Sequence, residues 1–298
     1  MKIIRPVSIT DDVLVSSNIA EPYTGEVAWN PSTSYSVGQK VFRDGNHNIY
    51  ERLVAGATPT APESDATNWL LVGKTNRWQV FDKKVGSQSV RADSINFVLT
   101  PGRVDSICLL NISASTVLVE MTDPSEGLVY SHSVELISTA GIVDAYTYCF
   151  EEIVLKTDFV LTDLPPYVLA SISITLSTPG AEVLCGEVVV GLQKILGLTQ
   201  YSPSMGITDY SRKAVDIFGN YSVLERGFSK RMACDVLVET AVMDEVHKQL
   251  SVYRATPVVW VGSELYTSML IYGFYKSFNM VLPGCQHAKC ALEIEGLT

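Results

Sequence analysis

The chain has 298 residues, 47% of them apolar, enough for two or three domains with packed cores and without any signature of disorder. A net charge of −10 excludes nucleic acid as the natural partner, because neutralising phosphates takes concentrated Lys and Arg. No run of about 18 apolar residues occurs, which excludes a membrane-spanning helix.

Residues 1–28 hold short β-prone pieces, Lys2-Ile3-Ile4 and Val13-Leu14-Val15, between polar turns. They read as an extended lead-in that needs a neighbouring strand. The opening Met1-Lys2-Ile3-Ile4-Arg5-Pro6 has no apolar stretch of the secretory kind, so the expectation is a protein made and kept inside a cell, or one that leaves it only when the cell bursts.

Residues 29–73 are the densest in signal. Trp29, Tyr35, Tyr50 and Trp69 stand among turn-formers. Strands are expected from Lys40 to Phe42 and from Ile49 to Leu53 about a turn at Asp44-Gly45, within a small three-stranded module. So short a segment buries little apolar surface, and its aromatics must carry most of its core. Rings left in the open would instead suit the flat apolar faces of sugars. Trp29, Tyr35, Gly38, Val41, Gly45, Tyr50, the Pro59-to-Pro62 loop and Trp69 form a pattern that resembles the type 3 chitin-binding fold, carbohydrate-binding families 5 and 12. That resemblance implies a glycan-binding surface made of Trp29, Tyr35, Tyr50 and Trp69. A single Trp69 followed by Leu70 and Leu71, where those chitin binders carry a doubled Trp, makes the implied ligand a glycan rather than chitin. The residues themselves leave a second reading open, in which all four rings are the core of a spacer.

Gly73-Lys74-Thr75-Asn76 reads as a linker. Residues 76–200 read as strand and turn throughout, with runs at 94–99, 106–110, 116–121, 129–136, 146–150, 171–176 and 183–190. Pro101-Gly102, Asp123-Pro124, Pro165-Pro166 and Pro179-Gly180 mark the turns. Seven or eight short strands without an intervening helix predict a β-sandwich or jelly roll. The acid excess here is read as a solvated face, since no EF-hand spacing of oxygen ligands occurs.

Residues 206–298 change character, with 9 basic against 10 acidic side chains. Val238, Val242, Val246, Leu250 and Tyr253 recur at helical spacing, which predicts a helix between Glu239 and Arg254 that stops before Pro257. Strands are expected at 258–261, 268–275, 277–282 and 288–295, giving an α+β assembly domain with one helix. The whole chain is thus expected to be mainly β. Tyr210, Arg212, Lys213, Arg226, Phe228, Lys230 and Arg231 place positive charge among aromatics on an acidic protein. They read as a docking surface for an acidic neighbour, with pairing to Asp209, Asp216 and Glu225 as the alternative.

Signals for chemistry are thin. His47, His132, His247 and His287 lie in different segments, and neither a Gly-x-Ser-x-Gly elbow nor a phosphate-binding Gly-x-x-x-x-Gly-Lys occurs, so no cofactor is expected. Cys285, His287 and Cys290 are the sharpest metal candidates, but structural zinc wants a fourth ligand and no second Cys pair is near. Together with Cys108, Cys149, Cys185 and Cys234, the cysteines show no framework spacing and are expected reduced and mostly buried.

Several segments from Trp78 onward share one style. They are Trp78-Gln79-Val80-Phe81-Asp82, Cys185-Gly186-Glu187-Val188-Val189-Val190-Gly191, Asp209-Tyr210-Ser211-Arg212-Lys213 and Arg226-Gly227-Phe228-Ser229-Lys230-Arg231. Arg254-Ala255-Thr256-Pro257-Val258-Val259-Trp260-Val261-Gly262, Tyr272-Gly273-Phe274-Tyr275 and Leu292-Glu293-Ile294-Glu295-Gly296-Leu297 complete the set. Together they resemble structural tail proteins of tailed bacteriophages, many of which carry a carbohydrate-binding module near the N-terminus. The resemblance implies a non-enzymatic virion component near the tail tip or fibre attachment, a homo-oligomer among other tail proteins, with its module turned toward host-surface glycan. A glycan-degrading enzyme with a targeting arm and a purely structural part are the alternatives.

Overall fold

The computed structural model describes residues 1–21, 25–138, 142–150, 152 and 154–297. The fold is mainly β, and its ladders are almost all antiparallel. The chain opens with β1 (Lys2–Pro6) and β2 (Leu14–Ser17). The aromatic module follows as β3 (Val27–Ala28), β4 (Lys40–Arg43), β5 (Asn48–Arg52) and β6 (Trp69–Lys74). It has four strands rather than the expected three, because Val27 and Ala28 pair in parallel with Val41 and Phe42.

The middle of the chain forms β7 (Ser89–Leu99), β8 (Ser106–Ser113), β9 (Thr116–Asp123), β10 (Gly127–Glu135) and β11 (Ile137–Ser138). After α1 (Ala145–Phe150) come β12 (Val154–Leu155), β13 (Phe159–Leu161) and β14 (Ser171–Ile195). The last third holds β15 (Leu198–Thr199), β16 (Ser204–Asp209), β17 (Arg212–Val215), β18 (Tyr221–Leu224) and β19 (Phe228–Glu239). It ends with α2 (Met243–Val252), β20 (Val258–Val261), β21 (Leu270–Val281) and β22 (His287–Gly296).

One strand is the spine. β14 runs for 25 residues, where the sequence predicts two strands broken at Pro179-Gly180. The dipeptide is a bulge instead: the register against β7 jumps between Ser177 and Glu182 while the strand continues. Pro179 has no N–H to give a ladder, and Gly180 takes φ +79° as its N–H reaches Asp93 Oδ1 at 2.8 Å. One edge of β14 carries β7 and then β1; the other carries β9 and then β8. The bend lets one strand serve both layers of the sandwich. Between them lies a core of Phe97, Leu99, Ile107, Leu109, Val119, Met121, Ile172 and Ile174.

The lead-in strand finds its neighbours far away in sequence. β1 is hydrogen-bonded to β14 on one side and to β20 on the other, so sandwich and C-terminal strands share one sheet. Ile3 and Ile4 are both fully buried, on opposite faces as the two-residue period demands. Ile3 packs in the C-terminal core with Trp260, Val236 and Leu250, while Ile4 packs with Val189, Val259 and Tyr272. Trp260 is completely buried, and its indole N–H donates to the Gly273 carbonyl at 3.0 Å.

The two helices stand differently against expectation. The C-terminal helix is present as a 3-10 turn, Thr240–Val242, leading into α2, whose Val246 and Leu250 face the core. Residues 146–150, expected as a strand, form α1 instead. The Asp144 carboxylate accepts the Thr147 N–H at 2.8 Å, a helix-start contact that overrides the β-propensity of Tyr146, Thr147 and Tyr148.

Where β1 crosses β14, no side chain fits. A Cβ placed on Gly191 would lie 1.9 Å from the Arg5 carbonyl oxygen, a backbone atom of the β1–β14 ladder. Gly191→Ala is therefore expected to lower unfolding free energy by about 3 kcal/mol through strand displacement. Denaturant melts monitored at Trp260 and in the sandwich should shift together. A variant that melts like the parent would show that β1 is not held there.

Candidate functional site

Trp29, Tyr35, Tyr50 and Trp69 do not form the open surface expected of them. Tyr35, Tyr50 and Trp69 are core residues with Val41, and Trp29 packs against them partly buried. The ring faces that would meet a sugar are taken by arginines. The Arg43 guanidinium sits 4.7 Å from the centre of the Trp29 ring, clamped there by a two-pronged contact to Glu63. Arg52, almost wholly buried, lies 4.7 Å over Trp69, whose edge meets Tyr35. The Tyr50 hydroxyl accepts from the Asn46 and Asn48 side-chain amides. The physical reason is size: a sheet this small has nothing else to make a core from, and cation–π contact lets it bury a guanidinium as well. Its large exposed apolar residues are aliphatic instead: Val27, Val37, Leu53, Val54, Leu70, Leu71 and Val72. His47 anchors the module to the body, bonded to Asp11 and Glu21 and stacked on Trp78.

The seven docking candidates divide into two groups. Arg212 and Lys213 belong to a β17–β18 hairpin, and every residue from Arg212 to Phe228 is exposed. Arg226 and Phe228 stand at the foot of this arm. Arg231 is exposed on β19, with its guanidinium against Gly206. Tyr210, half-exposed, donates to Glu295 Oε1 at 3.3 Å and shares a hydrogen bond with Ser229. Lys230 is the correction. Its ammonium pairs with the buried Asp158, not with an outside neighbour and not with Asp209, Asp216 or Glu225. It faces inward because residues alternate along β19, which carries Phe228 and Lys230 past the end of the sandwich.

At the arm's foot lies a cavity of about 480 Å³ between sandwich and C-terminal strands, lined by Asn111, Asp158, Phe228, Lys230 and Tyr272 among others. Asp158 also accepts the Asn111 N–H at 3.2 Å and the Thr157 hydroxyl. The Tyr272 hydroxyl is buried without a protein partner. Nearby, the Glu187 carboxyl is buried and its Oε2 accepts the Lys83 N–H at 3.0 Å. Burial first, then the Asp82 carboxylate, pushes Glu187 up to about 9, so it carries a proton at neutral pH. Glu187 closes a turn in which Lys83 takes φ +64°, and its shape is that of an internal prop rather than an open acid. These groups were invisible in the sequence, because Asp158, Glu187 and Tyr272 converge only through tertiary pairing.

The metal candidates are not assembled. His287 and Cys290 are three apart on β22 and so point to opposite faces: His287 is exposed and Cys290 buried, while Cys285 is exposed in the preceding loop. Among the described residues no group of three His, Cys, Asp or Glu could hold a metal ion. All six cysteines are free, four buried and two exposed. Comparison with protein-family models, with curated proteins and with solved structures found no match.

On the arm, the feature that sequence reasoning missed is its apolar tip. Asp216-Ile217-Phe218-Gly219-Asn220 between β-prone runs is a hairpin signal, and apolar residues at a turn tip, where polar ones belong, were the available clue.

The protonated Glu187 gives a pH test. The folded chain keeps this proton up to about pH 9, whereas an ordinary glutamate releases it near 4.5. The contribution to stability is thus full below the lower value and is lost as pH rises through the upper one. Glu187→Gln keeps the acceptor for Lys83 and never ionises. From about pH 5 to about pH 8 the parent should lose roughly 2–4 kcal/mol relative to this variant in denaturant melts. A difference that stays flat with pH would show that Glu187 is already ionised.

Proposed function

We propose that this chain is a non-enzymatic structural subunit of a tailed-bacteriophage tail, docked into its assembly through the β17–β18 arm. The observation that carries the reading is the arm itself. Val215, Ile217, Phe218, Tyr221, Val223 and Leu224 are all exposed on a two-stranded ribbon against which none of the described residues packs a layer. Such a ribbon is marginal in water on its own, and apolar patches of this kind mark protein contact. The tail as the setting rests on the resemblance of the segments from Trp78 onward.

The non-enzymatic reading is supported by where the titratable groups lie. Glu187 is buried and held by the Lys83 N–H, and Asp158 is buried and paired with Lys230, so neither stands as an open carboxylate. Contact with host glycan is no longer carried by Trp29, Tyr35, Tyr50 and Trp69, so the module reads as a spacer with an aliphatic face suited to protein.

The test uses particles. Tails assembled with the parent chain should contain it, and tails assembled with the exposed-tip variant Phe218→Asp should contain at most about a tenth as much. Equal incorporation, or a parent chain missing from purified particles, would overturn the proposal. Release of sugar from lipopolysaccharide or peptidoglycan by the purified chain would overturn its non-enzymatic part.

A further inference from the structure

The arm has a built face. Opposed residues of an antiparallel pair point the same way, so the register Lys213↔Val223 and Val215↔Tyr221 places those four side chains together. The Lys213 ammonium lies 4.9 Å over the Tyr221 ring at the edge of this face. The tip is shaped rather than loose. Asp216 Oδ1 accepts the N–H groups of Phe218 and Asn220 at 2.8 and 2.9 Å, and Gly219 takes φ +85° to complete the turn. Ile217 and Phe218 are thereby held outward, 92% and 83% exposed. Around this apolar face, residues 210–228 carry three basic side chains (Arg212, Lys213, Arg226) against two acidic ones (Asp216, Glu225), Lys230 being spent on Asp158. A weakly cationic arm thus projects from a chain whose net charge is −10.

A surface complementary to it exists on the same chain. The lobe between β11 and β12 exposes Val143, Tyr146, Tyr148 and Phe150. It too is ordered locally: the Asp144 cap starts α1, and the Tyr146 and Phe150 rings sit 4.9 Å apart. It carries the exposed carboxylates of Asp144 and Glu152, with Lys156 at its base. Arm and lobe rise from neighbouring ground, since Lys230 at the arm's foot pairs with Asp158, two residues past Lys156, which closes the lobe onto Leu136. Yet within one chain neither covers the other, for both are exposed.

We infer that the arm of one copy covers the aromatic lobe of a second copy, apolar face on rings and basic flank against Asp144 and Glu152. The inference rests on the proposed assembly role and names the partner that the arm meets. The contact can be made once per copy in a ring or twice in a two-fold pair; either way arm and lobe belong to different copies. Opposite charge steers the encounter, and the buried rings hold it.

The experiment uses the full chain in three forms: parent, an arm variant (Ile217→Asp with Phe218→Asp) and a lobe variant (Tyr146→Ser, Tyr148→Ser and Phe150→Ser). All substituted residues are exposed, and thermal melts equal to the parent's confirm that each variant folds. Sedimentation velocity should show the parent self-associating, more weakly as salt rises, and each variant alone weakened by about tenfold or more. Mixing the two variants should restore a one-to-one complex, because one supplies the lobe and the other the arm. The inference is overturned if the parent stays monomeric, if either variant associates like the parent, or if the mixture does not recover. A monomeric parent whose Phe218→Asp form still fails to enter particles would leave the assembly role standing and remove only the second copy as the partner.

Discussion

The structure depends on a strand of five residues held on both edges. β1 lies between β14 and β20, so a segment at the start of the chain splices the sandwich to strands formed more than 250 residues later. Each of its two isoleucines fills a different core, and the close passage over Gly191 leaves no slack between the ladders. From Lys2 to Ile4, β1 is paired on both sides and so satisfies its backbone groups, which is the condition for carrying it through an interior. Without that splice the C-terminal third would present an open sheet edge, a liability in any β protein. With it, the cavity between the two parts has fixed walls, and the arm has a rigid foot.

Burial of polar groups follows from the same geometry. Asp158 and Lys230 come from the two halves that β1 joins, and each would be costly to bury alone. Glu187 on the spine strand solves the problem differently, by staying protonated beside the Lys83 N–H. In the module the solution is a third one: guanidinium groups buried or half-buried against indole faces. The same aromatics that make the sequence look like a sugar binder are thereby used up in holding a small sheet together.

What the sequence made legible was local. Runs of β-prone residues located the strands at 94–99, 106–110, 116–121 and 258–261, and the spacing of Val246 and Leu250 located α2. Strand alternation also bears on Cys285, His287 and Cys290, since a separation of three within a strand divides His287 from Cys290. What stayed hidden was non-local. Nothing near Lys2–Pro6 shows that its partners are β14 and β20. Pro179-Gly180 looks the same as a turn or as a bulge until a neighbouring strand bridges it. The covered faces of Trp29 and Trp69 depend on Arg43 and Arg52 reaching back across the sheet. The arm was half legible: its charges drew notice, but its apolar tip did not.

A rigid body and an unsupported arm should differ in how easily their amides open, because a ribbon without a packed layer has little to hold its hydrogen bonds closed. Hydrogen–deuterium exchange of the full chain, free and in the assembled particle, measures this directly. In the free chain the amides of β14 should exchange only by global unfolding, while those of β17 and β18 exchange at close to unprotected rates; assembly should then slow the arm and leave β14 unchanged. An arm already as protected as β14 in the free chain, or one that gains no protection on assembly, would contradict the account.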